Sequence, residues 1–159
     1  MREGYALLYA CRHGHLGVVQ FLAAHFKLTR SDASAGNNFA LRKSSRHGHV
    51  AVVEFLATHF QLTADDARAK CNYALRKSAM YGHLHVVQFL ARHFRFTPTD
   101  VRTHGLCAFR KACSRGFIEV VQFLARHFRL TRADVRQNGN YALRKSAVNN
   151  HLPVVRFLA

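Results

Sequence analysis

Apolar positions recur along this chain at two nested spacings. Within 84–94, Leu84, Val86, Val87, Phe89, Leu90 and Phe94 cover most of a helix's circumference and leave His85, Gln88, Arg92 and Arg95 as one polar stripe at steps of three and four. The pattern predicts a helix sandwiched between neighbours on both sides. Ahead of it, 73–81 reads as a shorter helix, entered through Asn72 as N-cap and ended by Gly82 in the left-handed region. After it, Thr97-Pro98-Thr99-Asp100 sets a hydroxyl and a carboxylate three residues apart with proline at the first helical position, which predicts a third, very short helix. The same Thr-x-x-Asp stands at Thr29 to Asp32, Thr63 to Asp66 and Thr131 to Asp134, so these acids are read as caps.

The second spacing is 34 residues. It joins Ala6, Ala40, Ala74, Ala108 and Ala142, then Leu22, Leu56, Leu90, Leu124 and Leu158, then Phe26, Phe60, Phe94 and Phe128. A fixed period of this size means stacked repeats. Helices this short are marginal alone in water, so each pair must be stabilised by burial against the copies beside it. A single domain over 1–159 is expected, with repeats at 1–38, 39–72, 73–106, 107–140 and a shorter one at 141–159. The first repeat carries Leu8-Tyr9 where the others have Arg-Lys, and Val154, Val155, Phe157 and Leu158 close the chain without a polar cap. An exposed apolar end of that kind suggests a segment of a longer array, or an end covered by another surface.

Gly82-His83-Leu84, Val86-Val87 and Phe89-Leu90, preceded by Ser78-Ala79, resemble the ankyrin repeat pattern Ala-Ala-x-x-Gly-His-Leu-x-Val-Val-x-x-Leu-Leu. Gly14-His15 and Gly48-His49 keep the Gly-His step, whereas Gly116-Phe117 and Asn150-His151 each alter one member. The resemblance implies an all-α solenoid of antiparallel helix pairs that binds other proteins through loop tips and a concave helical face, without catalysis. Two departures qualify it. Tyr73-Ala74-Leu75-Arg76 replaces the family's Thr-Pro-Leu-His, and a Phe-x-Leu-Thr-x-x-Asp segment replaces its usual Gly-Ala-Asp-Val-Asn stretch, so short helical turns are expected in place of β-hairpin tips. A tetratricopeptide array shares the period, but its helices are longer and lack Gly-His between them.

Charge adds the functional question. Lys and Arg number 24 against 8 Asp and Glu, a formal +16, which favours phosphates, anionic membranes or acidic protein surfaces as partners. Arg-Lys recurs on the first helix of four repeats. Lys43, Lys77, Lys111 and Lys145 fall at a position the family leaves exposed and are read as partner contacts, in a ladder with steps of roughly 10 Å. Arg42, Arg76, Arg110 and Arg144 stand where the family has its loop-tying His. Two roles are open to them: a brace on a capping Asp or loop carbonyl, or a partner contact. Residues just before the Gly turn change between repeats, and Arg12, His13, Arg46, His47, Met80, Tyr81 and Arg115 are candidate specificity contacts, lining the concave surface by resemblance. Met80-Tyr81 flanked by Arg46 and Arg115 suits a partner with an apolar anchor and acidic flanks.

Other chemistry is thinly supported. Equivalent histidines such as His25, His59, His93 and His127 lie one repeat apart, roughly 10 Å, too far to share an ion whose ligands sit about 2 Å away. No metal or other cofactor is expected. Cys11 and Cys113 occupy the position of Ala79 and read as small buried residues, and the four cysteines form no Cys-x-x-Cys pair. Phosphate-binding Gly-rich loops, His-Glu-x-x-His and Gly-x-Ser-x-Gly are missing, so no enzyme and no small-molecule substrate are expected. Neither a membrane span nor a secretory signal is read, and an intracellular protein, cytoplasmic or nuclear, is the expectation. The function that follows is a scaffold binding an acidic protein surface through a basic concave face. Nucleic-acid or polyanion binding through the same ladder is the alternative, for which aromatic residues should be interleaved with arginines, and only Tyr81 is placed there by sequence.

Overall fold

The computed structural model describes residues 2–159, with side chains from Gly4 onward. Its elements are α1 (Arg2–His13), α2 (Leu16–His25), α3 (Arg30–His47), α4 (Val50–His59), α5 (Ala64–Met80), α6 (Leu84–His93), α7 (Pro98–Arg115), α8 (Ile118–His127), α9 (Arg132–Val135), α10 (Gln137–Val148) and α11 (Leu152–Leu158). No strand occurs among the described residues, and helical turns stand where β-hairpin tips were in question. The long elements α3, α5 and α7 are each two helices joined through a kink, the short capped helix first and the first helix of the repeat after it.

The kink is a tight left-handed turn. At 36–38, 70–72, 104–106 and 138–140, three consecutive residues have φ between 53° and 62°. Asn38, Asn72 and Asn140 suit this region because a short amide side chain tolerates it, whereas Lys70, Cys71 and Leu106 have no such aptitude. Asn72 is therefore no N-cap. An N-cap needs extended backbone, and at φ 57° the Asn72 amide instead donates to the Asp100 carbonyl at 2.8 Å, in the next repeat.

Stacking explains why helices of ten residues hold. Val52, Val53 and Leu56 of α4, Val86, Val87 and Leu90 of α6, and Val120, Val121 and Leu124 of α8 are all buried. They meet Leu41, Leu75 and Phe109 of the first helices, whose Ala40, Ala74, Ala108 and Ser44, Ser78 let backbones approach closely. The serine hydroxyls stay satisfied on their own helices, as Ser44 does on the Ala40 carbonyl at 2.8 Å. First helices pack along one another more extensively than second helices do, so their side is the tighter one. The closing apolar run is less open than expected, because Val154 is fully buried and Val155, Phe157 and Leu158 are half-buried against the core. The large exposed apolar side chains are instead Tyr5, Tyr9, Val18, Phe21 and Phe26 in the first repeat, with Val148 and Leu152 in the last.

The glycine before each second helix has a steric reason. Gly48 ends its helix at φ 81°, and a Cβ there would stand 2.5 Å from the His83 ring of the next repeat. Gly14 meets His49, Gly82 meets Phe117 and Gly116 meets His151 in the same way. The imidazoles do a second job: Nε2 of His49, His83 and His151 lies 3.1, 3.0 and 3.1 Å from the carbonyls of Arg12, Arg46 and Ser114. Each such ring is thus wedged over a glycine and tied to the backbone of the preceding repeat. At the fifth turn Asn150 takes the glycine's place, at φ 58°.

Candidate functional site: the first-helix face

From the second repeat on, each first helix begins with an aromatic or small residue and shows an arginine three positions on and a lysine after that: Phe39, Arg42, Lys43, then Tyr73, Arg76, Lys77, then Cys107, Arg110, Lys111, and Tyr141, Arg144, Lys145. On a helix these share one face. Arg42 donates from Nε to the Asn37 carbonyl at 2.8 Å and from Nη2 to the Gly36 carbonyl at 3.0 Å. Arg76 repeats this on Cys71 and Lys70 at 2.6 and 3.1 Å, and Arg144 reaches the Asn138 carbonyl at 3.4 Å. These carbonyls belong to the left-handed turns, which the guanidinium fork holds closed. Arg110 differs, since its buried Nε has no partner and its guanidinium rests over the Tyr141 ring at 5.1 Å.

The arginines also bridge repeats through aromatic faces. Arg42 lies 5.0 Å over Tyr73, whose ring also receives the Lys77 ammonium at 5.6 Å. Lys43 sits 5.1 Å over Phe39. Lys77 contacts Met80 Sδ at 3.7 Å, and Lys43 and Lys77 are half-buried while Lys111 and Lys145 are exposed. An arginine–aromatic interleaving therefore exists beyond Tyr81. It could have been read from the 34-residue recurrence of Phe39, Tyr73 and Tyr141.

At the centre, Tyr81 receives two guanidinium groups, Arg46 from the preceding repeat at 5.4 Å and Arg115 from the following one at 5.0 Å. Arg46 also donates to the Tyr81 hydroxyl at 3.2 Å and approaches the Tyr73 hydroxyl at 3.5 Å, an arrangement that holds the cation in place without neutralising it. Burial pushes the Tyr73 phenol up, but the hydrogen bond from Arg46 and the charges of Lys43, Arg46 and Lys77 outweigh it and hold the group below its ordinary value. Met80 is half-buried beside Tyr81, and Arg12, His13 and His47 are exposed on the same turn of their own repeats. Although His47 is largely exposed, partial desolvation holds it below the usual imidazole value, with the Arg46 charge next in effect.

The described carboxylates lie mainly elsewhere. Asp32, Asp65, Asp66, Asp100 and Asp134 lie at the tips, and Glu54 and Glu119 on second helices. The backbone N–H groups of Thr29, Thr63, Thr97 and Thr131 donate to Asp32, Asp66, Asp100 and Asp134 at 2.7–2.8 Å, closing the capping boxes. Three of these aspartates also bind across repeats: Arg30 to Asp66 at 2.7 Å, Arg68 to Asp100 at 2.7 Å and Arg102 to Asp134 at 2.9 Å. The Arg68 guanidinium, with the Thr97 cap, takes the Asp100 carboxyl down to about 2, and Arg102 holds Asp134 lower still. This role of Arg68 and Arg102 was not read from sequence, although they too are 34 residues apart.

Histidines and cysteines gather into no group of three metal-ligating side chains among the described residues. Cys11 and Cys113 are buried, which pushes both thiols up to about 12.

The family model for ankyrin repeats matches residues 75–159 as three copies. The chain belongs to the ankyrin-repeat family. Ankyrin repeats generally serve as protein-interaction modules and are typically non-enzymatic scaffolds, and among the described residues no helix is long and apolar enough to cross a membrane. No curated protein matches the chain. In this chain the tips are helical and left-handed, and arginines donate to their carbonyls.

Proposed function

We propose that this chain is a non-enzymatic scaffold that binds an acidic partner protein through its first-helix face, with Arg46, Lys77, Met80, Tyr81 and Arg115 at the centre and Lys43, Lys111 and Lys145 extending the contact. The observation that carries the reading is the placement of Arg46 and Arg115 on one tyrosine ring, from repeats on either side. Cations fixed in this way need little reordering on binding, and Arg suits carboxylates bidentately. Arg42 and Arg76 are engaged with tip carbonyls, which favours the brace over the contact for them.

A fluorescein-labelled peptide of alternating Glu and Ala serves as the probe. Arg46→Glu with Arg115→Glu is expected to weaken it by roughly 100-fold in anisotropy titrations, the scale of two charge contacts reversed. Replacing Lys43, Lys77, Lys111 and Lys145 by Glu should abolish binding with far-UV circular dichroism unchanged. Equal affinity of wild type and both variants would exclude this face. Nucleic acid is the competing ligand. The faces of Tyr73 and Tyr141 are already covered by Arg42 and Arg110, which leaves them little to offer a base.

A further inference from the structure

The Arg-Lys pair is missing from one repeat on this face, and its absence leaves a cleft. In the first repeat Leu8 and Tyr9 stand where later repeats have arginine and lysine. Arg42, at the equivalent position, extends to the tip carbonyls and the next aromatic ring, whereas Leu8 is too short to reach a tip. The space between α1 and the tip of α3 is therefore open, a cleft of about 560 Å³ lined by Tyr5, Leu8, Tyr9 and Phe39, with Arg12 and Asp32 among its polar members. Tyr5 and Tyr9 are 66% and 60% exposed, while Tyr73 and Tyr141 are covered by arginines.

We infer that this cleft seats a bulky apolar side chain of the acidic partner, anchoring the partner at the first repeat while its carboxylates run along Arg46, Lys77 and Arg115. The inference rests on the acidic-partner reading above. Charge selects the occupant. Arg12 in the cleft wall and the basic face continuing from it repel a cationic group, and a second copy of a chain with formal charge +16 meets the same repulsion. Asp32 keeps its charge, its Oδ2 held by the Thr29 N–H and hydroxyl at 2.8 and 2.7 Å, and so offsets Arg12 locally, but the cations that continue along the face from Arg46 leave the balance positive. An apolar side chain flanked by acids satisfies both the aromatic wall and the cations beyond it. The anchor read from sequence at Met80-Tyr81 moves accordingly, since Tyr81 is occupied by two guanidinium groups.

The test compares the Glu-Ala peptide with the same peptide carrying one Phe, on wild type and on Leu8→Arg with Tyr9→Lys. That variant gives the first repeat the residues of its neighbours. The Phe peptide is expected to bind wild type at least about tenfold tighter, from burial of one aromatic side chain. The variant should lose that gain while holding the Phe-free peptide at least as well as before, since it adds two cations to the basic face. Tyr9→Ser, at a largely exposed side chain, is the second variant should the first fold poorly by circular dichroism. Equal binding of the two peptides to wild type, or a gain that survives both variants, would overturn the inference and leave the basic-face reading standing. Failure of both peptides to bind would overturn both readings. Concentration-dependent self-association abolished by Leu8→Arg would assign the cleft to a second copy and likewise overturn it.

Discussion

A methyl group at Gly48 would lie 2.5 Å from Nδ1 of His83, on a backbone at φ 81° that L residues rarely adopt. Gly48→Ala is expected to destabilise the fold by on the order of 2 kcal/mol or more, read as a lowered urea midpoint. Gly17 in α2 has nothing within 4 Å of the added carbon, and Gly17→Ala should raise the midpoint by about 0.5 kcal/mol. The ring that fills each glycine cradle also sets a pH response. Burial holds His83 below the ordinary imidazole value, against the pull of its bond to the Arg46 carbonyl. The unfolded chain therefore binds this proton more readily, and the stability contributed by neutral His83 is complete above about pH 6.5 and declines as pH falls below it. His47 and His127 are lowered as well and act in the same direction. Urea midpoints measured from pH 7.5 to 5 should fall, and less steeply in His83→Phe, a change for which Phe117 is the chain's own precedent. Gly-His was legible as a motif. Its partner was not, because the glycine and the ring that needs it belong to different repeats.

Among elements, the short capped helix decides how neighbouring repeats are fastened. Asp100 closes its own capping box and accepts Arg68 through both oxygens, at 2.7 and 3.0 Å. Asp100→Ala should cost about 2 kcal/mol or more in chemical denaturation, from the lost cap and the charged hydrogen bonds together. Because the Asp100 carboxyl is lowered to about 2, its contribution is full above about pH 4 and is lost as pH falls through the folded value. Thr-x-x-Asp announced the caps because Ser, Thr and Asp at that spacing have few other local uses. The tip between cap and first helix was harder to read. Lys70 and Cys71 carry no preference for left-handed backbone, and Asn72 serves equally as an N-cap or as a left-handed residue, so local chemistry pointed to the commoner use. What imposes the turn is tertiary: Arg76 holds its carbonyls and the Asn72 amide reaches the following repeat.

Across the whole molecule, the 34-residue period and the two helices of each unit were plain in the sequence, because burial between neighbours fixes the same apolar positions every time. The division of charge was less visible. Asp32, Asp66, Asp100 and Asp134 are committed to caps at the tips, the last three also to ion pairs, while the first-helix face carries the repeated arginines and lysines. Affinity for the Glu-Ala peptide should consequently fall by at least about tenfold between low salt and a few tenths molar, as exposed charges are screened. Duplex and single-stranded DNA titrated in parallel should show weaker binding at the same ionic strength. Tighter, steeply salt-dependent binding of either strand would transfer the face to nucleic acid.

The wedge of ring over glycine also makes the repeats unequal as building blocks. A copy of 39–72 can follow any unit that ends its first helix in glycine, since His49 needs that open cradle. The fifth unit carries Asn150 there, a residue with the Cβ that the other cradles exclude. Transplanting 141–159 into an interior position would set that carbon against the next imidazole. Recombined arrays from this chain would need Asn150→Gly at every such junction, and the permitted order of modules is written in that one position.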